Sequence, residues 1–200
     1  MKLIKSKKGL VLLATLAVAV VAAVGAYAYF SSTGTGTGTA TVGSATAFAV
    51  NETHQSGGPL YPDPASGIGH GANVQTNTYT VNNPSAGNQK LNQVVISVAA
   101  SDGSAWYGCA GDATVNSTTH LCENGTNAAG LLANGQAACR ASDFSVGGET
   151  AGSSHTDSSQ AGDLTPGQTV TSSVTVELID NNANQDACQG LTAPLYYSAS

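Results

Sequence analysis

The chain has 200 residues, with 12 acids against six bases and charged side chains at only 9% of positions, far below the roughly 25% of an ordinary soluble domain. Four of the bases are lysines in the first eight residues, so beyond residue 30 the 12 acids face only Lys90 and Arg140, a net charge of −10. That balance argues against nucleic acid and anionic lipid surfaces as partners, since both draw on clustered Lys and Arg; divalent cations are left open.

Lys2, Lys5, Lys7 and Lys8 precede an unbroken apolar run over residues 9–30. Backbone polar groups cannot stay unpaired in lipid, so such a run enters a membrane as a helix. At about 1.5 Å per residue, residues 10–30 reach roughly 31 Å, enough to cross the hydrocarbon core. The lysines hold their end inside, which predicts that everything after residue 30 is exported and that the membrane is a partner at least in transit. Residues 10–24, the helix-weakening Gly25 and the small residues of Ala26-Tyr27-Ala28 read as a signal peptide cleaved after Ala28. The alternative is a retained anchor helix, with Tyr27, Tyr29 and Phe30 as its interfacial belt. A third reading takes Lys7-Lys8-Gly9 as a prepilin-like processing site; residues 9–30 lack the acid usual early in pilin helices.

Residues 31–40 alternate Gly and Thr and read as a flexible spacer. Residues 41–200 then make one extracellular domain. Residues 41–50 alternate apolar and small polar side chains, with Val42, Phe48 and Val50 marking a first strand. The stretch 51–71, rich in Gly and Pro and holding His54 and His70, predicts a long loop. Residues 74–81 predict a Thr-rich strand with Tyr79 and Val81 on one face, closed by a turn over 82–87. The most apolar segment, 91–99, belongs in the middle of a sheet. A loop insertion follows over 100–140, with one short helix over 128–138. Residues 143–146 predict a short strand, 147–162 a polar loop, and Thr165-Pro166-Gly167-Gln168 a turn. Residues 169–179 alternate with Val170, Ser172, Val174, Val176 and Leu178 inward. Residues 191–199 close the domain, with Leu195 and Tyr197 on one side and Tyr196 on the other. The pattern predicts an all-β fold: an antiparallel Ig-like or jelly-roll-like β-sandwich of six or seven strands, preceded by an N-terminal hydrophobic helix.

Cys109, Cys122, Cys139 and Cys188 all follow the leader, and an even number in an oxidising compartment reads as two disulfides. Three pairings are open. A local clip, Cys109–Cys122, with a long-range tie, Cys139–Cys188, is the favoured one; in the chain-entropy account these closures are worth roughly 3 and 4 kcal/mol. Zinc is the competing reading, and His120 with Cys122 is its best fragment, but no C-x-x-C pair exists. Asp180, Asn182, Asn184 and Asp186 present oxygens at alternate positions, as a calcium loop does. The sixth position is Gln185 where such a loop needs Gly, and the twelfth is Leu191 where it needs Glu; an Asx-rich turn explains the run equally well. Trp106 and Tyr107 form either an exposed contact patch for sugar or protein, or satellite core over the neighbouring disulfide. The histidines, His54, His70, His120 and His155, show no H-E-x-x-H pairing, and no G-x-S-x-G elbow or free nucleophilic Cys is apparent. Among 12 acids some carboxylate pair always lies close, so glycoside chemistry gains nothing from their number. Asn51, Asn116 and Asn124 head glycosylation-type triplets, which mark polar loops.

The run Ala26-Tyr27-Ala28-Tyr29-Phe30-Ser31-Ser32, followed by a Gly/Thr spacer and a first strand, resembles the leader of SipW-dependent secreted proteins, the group of TasA- and camelysin-type biofilm-fibre and surface proteins. Three stretches of the domain are similar to uncharacterised actinobacterial exported β-sandwich proteins. They are Tyr79-Thr80-Val81-Asn82-Asn83-Pro84 at a strand end, Cys139 to Val146, and Asn184 to Gly190 before the last strand. The excursion over 101–138, with its own cysteine pair, stands outside that likeness. The resemblance implies that Cys139 pairs with Cys188 and that the protein works in the envelope or matrix; it implies no catalytic residue.

The sequence therefore predicts a non-catalytic, exported cell-envelope or extracellular-matrix protein with a structural or adhesive role. Its partners would be other surface proteins or copies of itself, reached by donating the 41–50 strand to an open sheet edge. The alternatives are a carbohydrate- or calcium-binding surface module and a pilin-like filament subunit. No cofactor is predicted, and calcium is left open.

Overall fold

The computed structural model describes residues 44–123 and 135–200. The leader, the expected cleavage site at Ala26 and Ala28, the Gly/Thr spacer, residues 41–43 and residues 124–134 lie outside the described residues. Within them the chain is all-β, and its helical content is two three-residue 3-10 turns, Ala141–Asp143 and Asp186–Cys188. No helix of the described residues is long and apolar enough to cross a membrane.

The strands follow in order. β1 (Ala49–Ser56) and β2 (Asp63–Pro64) lead to β3 (Val74–Asn82), then β4 (Gln89–Leu91) and β5 (Val94–Val98). The excursion contributes five short strands: β6 (Tyr107–Gly108), β7 (Thr114–Val115), β8 (Leu121–Glu123), β9 (Gln136–Ala137) and β10 (Cys139–Arg140). The chain then makes β11 (Phe144–Val146), β12 (His155–Asp157), β13 (Gly162–Leu164), the 12-residue β14 (Thr169–Asp180) and β15 (Leu195–Ala199).

Period-2 alternation explains the long elements. In β3 the residues Asn77, Tyr79 and Val81 are buried while their neighbours are half-exposed, and in β5 Val94, Ile96 and Val98 are buried. The first sheet runs β1-β3-β14-β11, antiparallel throughout, with β2 added parallel against the end of β14 at Ile179 and Asp180. A second sheet runs β12-β5-β15, so β5 is central as its apolar run predicts. β4 pairs with β13 as a continuation of the β5–β12 ladder. The gap between β4 and β5 is filled by Ser200, whose carbonyl accepts from Gln93 N–H at 3.2 Å and whose N–H donates to the Gln93 carbonyl at 3.0 Å.

Side chains from both sheets make one core. Tyr79, Val81, Val174, Val176 and Val146 of the first sheet meet Leu91, Val94, Ile96, Val98 and Leu164 of β4, β5 and β13. A fully buried Tyr hydroxyl needs a partner. Tyr79, 0% exposed, donates to Asp157 Oδ2 at 2.5 Å, and Ser172 donates to the same oxygen at 2.6 Å. The other oxygen of Asp157 accepts the Ser159 N–H at 2.8 Å. One carboxylate on β12 thus receives hydrogen bonds from β3 and β14 in the facing sheet. Burial pushes the Asp157 carboxyl up, but the hydrogen bonds from Ser172, Tyr79 and Ser159 outweigh it and hold it down at about 2. Burial, with the Asp157 carboxylate as acceptor, pushes the Tyr79 phenol well up. The Tyr197 ring lies 5.0 Å from that of Tyr79, and burial beside Glu52 raises its phenol likewise.

Asn83 repeats the pattern at the β3–β4 turn. It is 0% exposed, its Nδ2 donates to the Leu164 and Gly87 carbonyls at 2.8 and 3.0 Å, and its Oδ1 accepts the Ser85 N–H at 2.9 Å. A buried amide satisfied at both ends fixes the turn against β13.

Both disulfides form as the spacing favoured: Cys109–Cys122 and Cys139–Cys188, with no free cysteine. Cys122 is thereby removed as a zinc ligand, since a cystine sulfur has no thiolate to give. Such cross-links are typical of extracellular proteins.

Several local expectations change. The first strand begins at Ala49 and extends to Ser56, into the stretch expected to be loop, and β2 lies in that stretch as well. β1 is an edge strand polar on both faces, so it carries no alternation to read. Its Ala49 and Val50 pair within the chain to Asn82 and Val81, so donating this strand to a neighbour requires breaking that ladder. Where the 128–138 helix was expected, Gln136–Ala137 is the strand β9; the helix's other residues up to 134 lie outside the described residues. The polar loop expected over 147–162 holds β12 and the start of β13. The 100–140 excursion is itself paired, as the sheet β7-β8-β9 and the ladder β6–β10.

Two predictions follow from these ties. The Asp157 pKa of about 2 lies below the unfolded value of about 3.9, so its contribution is present above about pH 4 and is lost as pH falls through about 2. The melting-temperature gap between wild type and Asp157→Asn should therefore narrow as pH is lowered from about 4 to about 2; a constant gap would show that the charge is not what binds the sheets. Removing Cys139–Cys188, which closes 49 residues, should lower stability by about 1 kcal/mol more than removing Cys109–Cys122, which closes 13, as read by denaturant titration of paired Cys→Ala variants.

Candidate functional site

The alternation that fills the core turns polar at one end of the first sheet. Gln75, Asn77, Tyr79 and Val81 all take the inward face of β3, but only Tyr79 and Val81 meet the second sheet's apolar residues. Gln55 stands opposite Asn77 on β1. Its Nε2 donates to Gln75 Oε1 at 2.7 Å, and Gln75 Nε2 donates to the Gly58 carbonyl at 2.8 Å. Asn77 is only 5% exposed, and its Oδ1 is buried with no hydrogen-bond partner among the described residues. Beside these amides lie Phe144, Val176 and Leu178, the apolar end of β11 and β14. Together they floor a cleft of about 890 Å³, within the size range of small-molecule sites.

Two irregular segments wall it. One is 59–62, where Pro59 and Pro62 flank Leu60 and Tyr61. It is anchored by Asp63, 3% exposed, whose carboxylate accepts the Asn73 N–H at 2.8 Å and Asn73 Nδ2 at 2.5 Å. The other is 183–193, shaped by successive Asx turns. Asp180 Oδ1 accepts the Asn182 N–H at 2.8 Å, Asn181 Oδ1 the Ala183 N–H at 2.9 Å, and Asn184 Oδ1 the Asp186 N–H at 2.8 Å. Asn182 takes the left-handed conformation, φ 59°, which Asn tolerates. This wall is tied down by Cys139–Cys188 and by Asn181 Nδ2, which donates to buried Asp143 at 2.7 Å.

Of the four oxygens expected to form a calcium loop, Asp180, Asn184 and Asp186 reach the cleft lining, and Asn182 does not. Asp180, Asn184 and Asp186 each spend one oxygen on a local donor, Asp186 on Gln189 Nε2 at 3.3 Å. Trp106 is half-buried: its ring packs 6.3 Å from that of Phe144 and lies over Gly108, where an added Cβ would come within 2.6 Å of it. Tyr107, also half-buried, stacks on His120 with ring centres 3.9 Å apart. Among the described residues, the large apolar side chains left exposed are instead Tyr61, at 60%, and Ile68. Sequence reasoning passed over Tyr61 because it sits in a Pro/Gly-rich stretch without a period. Gln75 and Asn77 did carry a signal, being amides at positions that the β3 alternation assigns to the inside.

The histidines stay apart. His70 Nδ1 lies 3.0 Å from the Pro64 carbonyl and 3.3 Å from Glu177, while His155 faces Glu149 at 3.5 Å. Among the described residues, the cluster with metal-ligand atoms is Cys139, Asp143 and Cys188. Its two sulfurs are one cystine, and the carboxylate already accepts from the Arg140 N–H and Asn181. That cluster is structural.

No protein-family model, no curated protein and no solved structure matches this chain.

An orphaned buried acceptor costs about 1–3 kcal/mol. Asn77→Leu should therefore keep or raise the melting temperature. Leu178→Ala, on the same floor, should lose about 2–5 kcal/mol as a core truncation. If both destabilise equally in denaturant titrations, Asn77 has a partner in the folded protein and its oxygen is not orphaned.

Proposed function

We propose that this protein is exported and works by contact, as a structural or adhesive component of the cell envelope or extracellular matrix, and does not turn over a substrate. The observation that carries the export part of the reading is the pair of closed disulfides in a chain with no free cysteine, which needs an oxidising compartment to form and persist. The basic, apolar leader with Ala26-Tyr27-Ala28 supports export, as does its likeness to SipW-dependent leaders. The low charge beyond residue 30 supports a surface of Ser, Thr, Asn and Gly, with other surface proteins or further copies of the chain as partners. The architecture we assign is an Ig-like or jelly-roll-like β-sandwich, the four-stranded β1-β3-β14-β11 sheet being one layer and β12-β5-β15 the other.

A second reading, a ligand-binding surface module, is favoured by one specific observation. The cleft on the inner face of the first sheet joins an apolar floor to convergent amides and carboxylates.

Cell fractionation with intact-mass measurement tests the first reading. The expected product lies in the culture medium or envelope, begins at Tyr29, and gains four hydrogens on reduction because two disulfides open. A cytosolic product carrying its full leader and four free thiols would overturn it.

A further inference from the structure

We infer that the cleft floored by Asn77 and Gln75 binds a neutral saccharide, with hydroxyls directed to the floor amides and one sugar ring laid against Tyr61. The inference rests on the reading of the domain as a non-catalytic contact body, and it names what that body holds.

The chemistry of the lining selects the ligand. Asn77 lines the cleft while its Oδ1 is shut off from solvent and lacks a donor, so a small turn of the amide toward the cleft is satisfied only by an occupant that brings an O–H or N–H. A purely apolar guest would leave that oxygen orphaned and would also strip water from Gln55 and Gln75. An anion is disfavoured, because Asp180 and Asp186 line the cleft and no Lys, Arg or His does. A sugar hydroxyl both donates and accepts, so it matches amides, which present both functions, and carboxylates, which accept. The apolar faces of sugar rings need an aromatic surface as well. Tyr61 supplies it at the cleft wall, 60% exposed and free of the core. Pro62 holds Tyr61 to extended backbone, so little freedom remains to be lost on stacking.

Titration calorimetry of the full chain with cellohexaose, chitohexaose, maltohexaose and mannohexaose tests this, with and without EDTA. Calcium chloride alone and an oligogalacturonate serve as the cation and anion arms. The expected result is one-to-one binding of at least one neutral hexamer, insensitive to EDTA. Tyr61→Ala should weaken it about tenfold, and Asn77→Leu should abolish it while the melting temperature holds. Ile68→Ala, exposed but outside the cleft lining, should leave it unchanged. Failure of all four neutral hexamers to bind, or binding that survives both Tyr61→Ala and Asn77→Leu, overturns the proposal. So does tighter binding of the acidic oligomer or of calcium alone at the same residues. Shortening of a bound hexamer over a day, followed by NMR in the same sample, would overturn the non-catalytic reading and leave the ligand class standing.

Discussion

The pairing of β3 with β14 decides the inside and outside of this domain. Asn82 stands opposite Thr169 and Val74 opposite Glu177, an unbroken antiparallel register of nine pairs. Side chains alternate along each strand, so a slip of one residue would send every one of them to the other face. That register places Tyr79 and Ser172 side by side, where both reach Asp157 on the facing sheet. It also places Gln75, Asn77, Val176 and Leu178 together at the other end of the ladder. Core and cleft are therefore two ends of one strand pair.

The two ends treat polar groups in opposite ways. At the Tyr79 end every buried polar atom of the network has a partner within the chain, and a carboxylate is used to bind one sheet to the other. Asn83 is satisfied in the same manner one turn away. At the Asn77 end an amide oxygen is buried without a partner. In a low-dielectric interior a complete network rigidifies and an incomplete one costs stability. The contrast separates a completed polar network from an incomplete one.

The long-range cystine connects the excursion to the cleft. Cys139 follows β9 and Cys188 lies in the 183–193 wall, so the bond holds that wall against β10 and the 3-10 turn that presents Asp143. Asx turns give the wall its local shape, and Asn181 reaching Asp143 gives it a second anchor. A segment whose regular structure is one three-residue 3-10 turn is held in place this way.

Elements with one buried face were legible from residue order alone. The alternations over 74–81 and 169–179 announced β3 and β14 and residues of their inward faces, and the apolar run over 91–99 announced a strand at the middle of a sheet, which is β5. The cysteine spacing favoured both bonds. β1, β12 and β13 were not legible, because strands held mainly by backbone pairing at an edge leave no side-chain period. By itself the sequence determined an all-β chain with two cystines, since these follow from local period and from the chemistry of four thiols. Only the tertiary structure decided that Tyr61, Gln75, Asn77 and Asp186 share one cleft while Trp106 packs against Phe144. Residues far apart in the chain are brought together by strand register and cross-linking, and neither has a local signature.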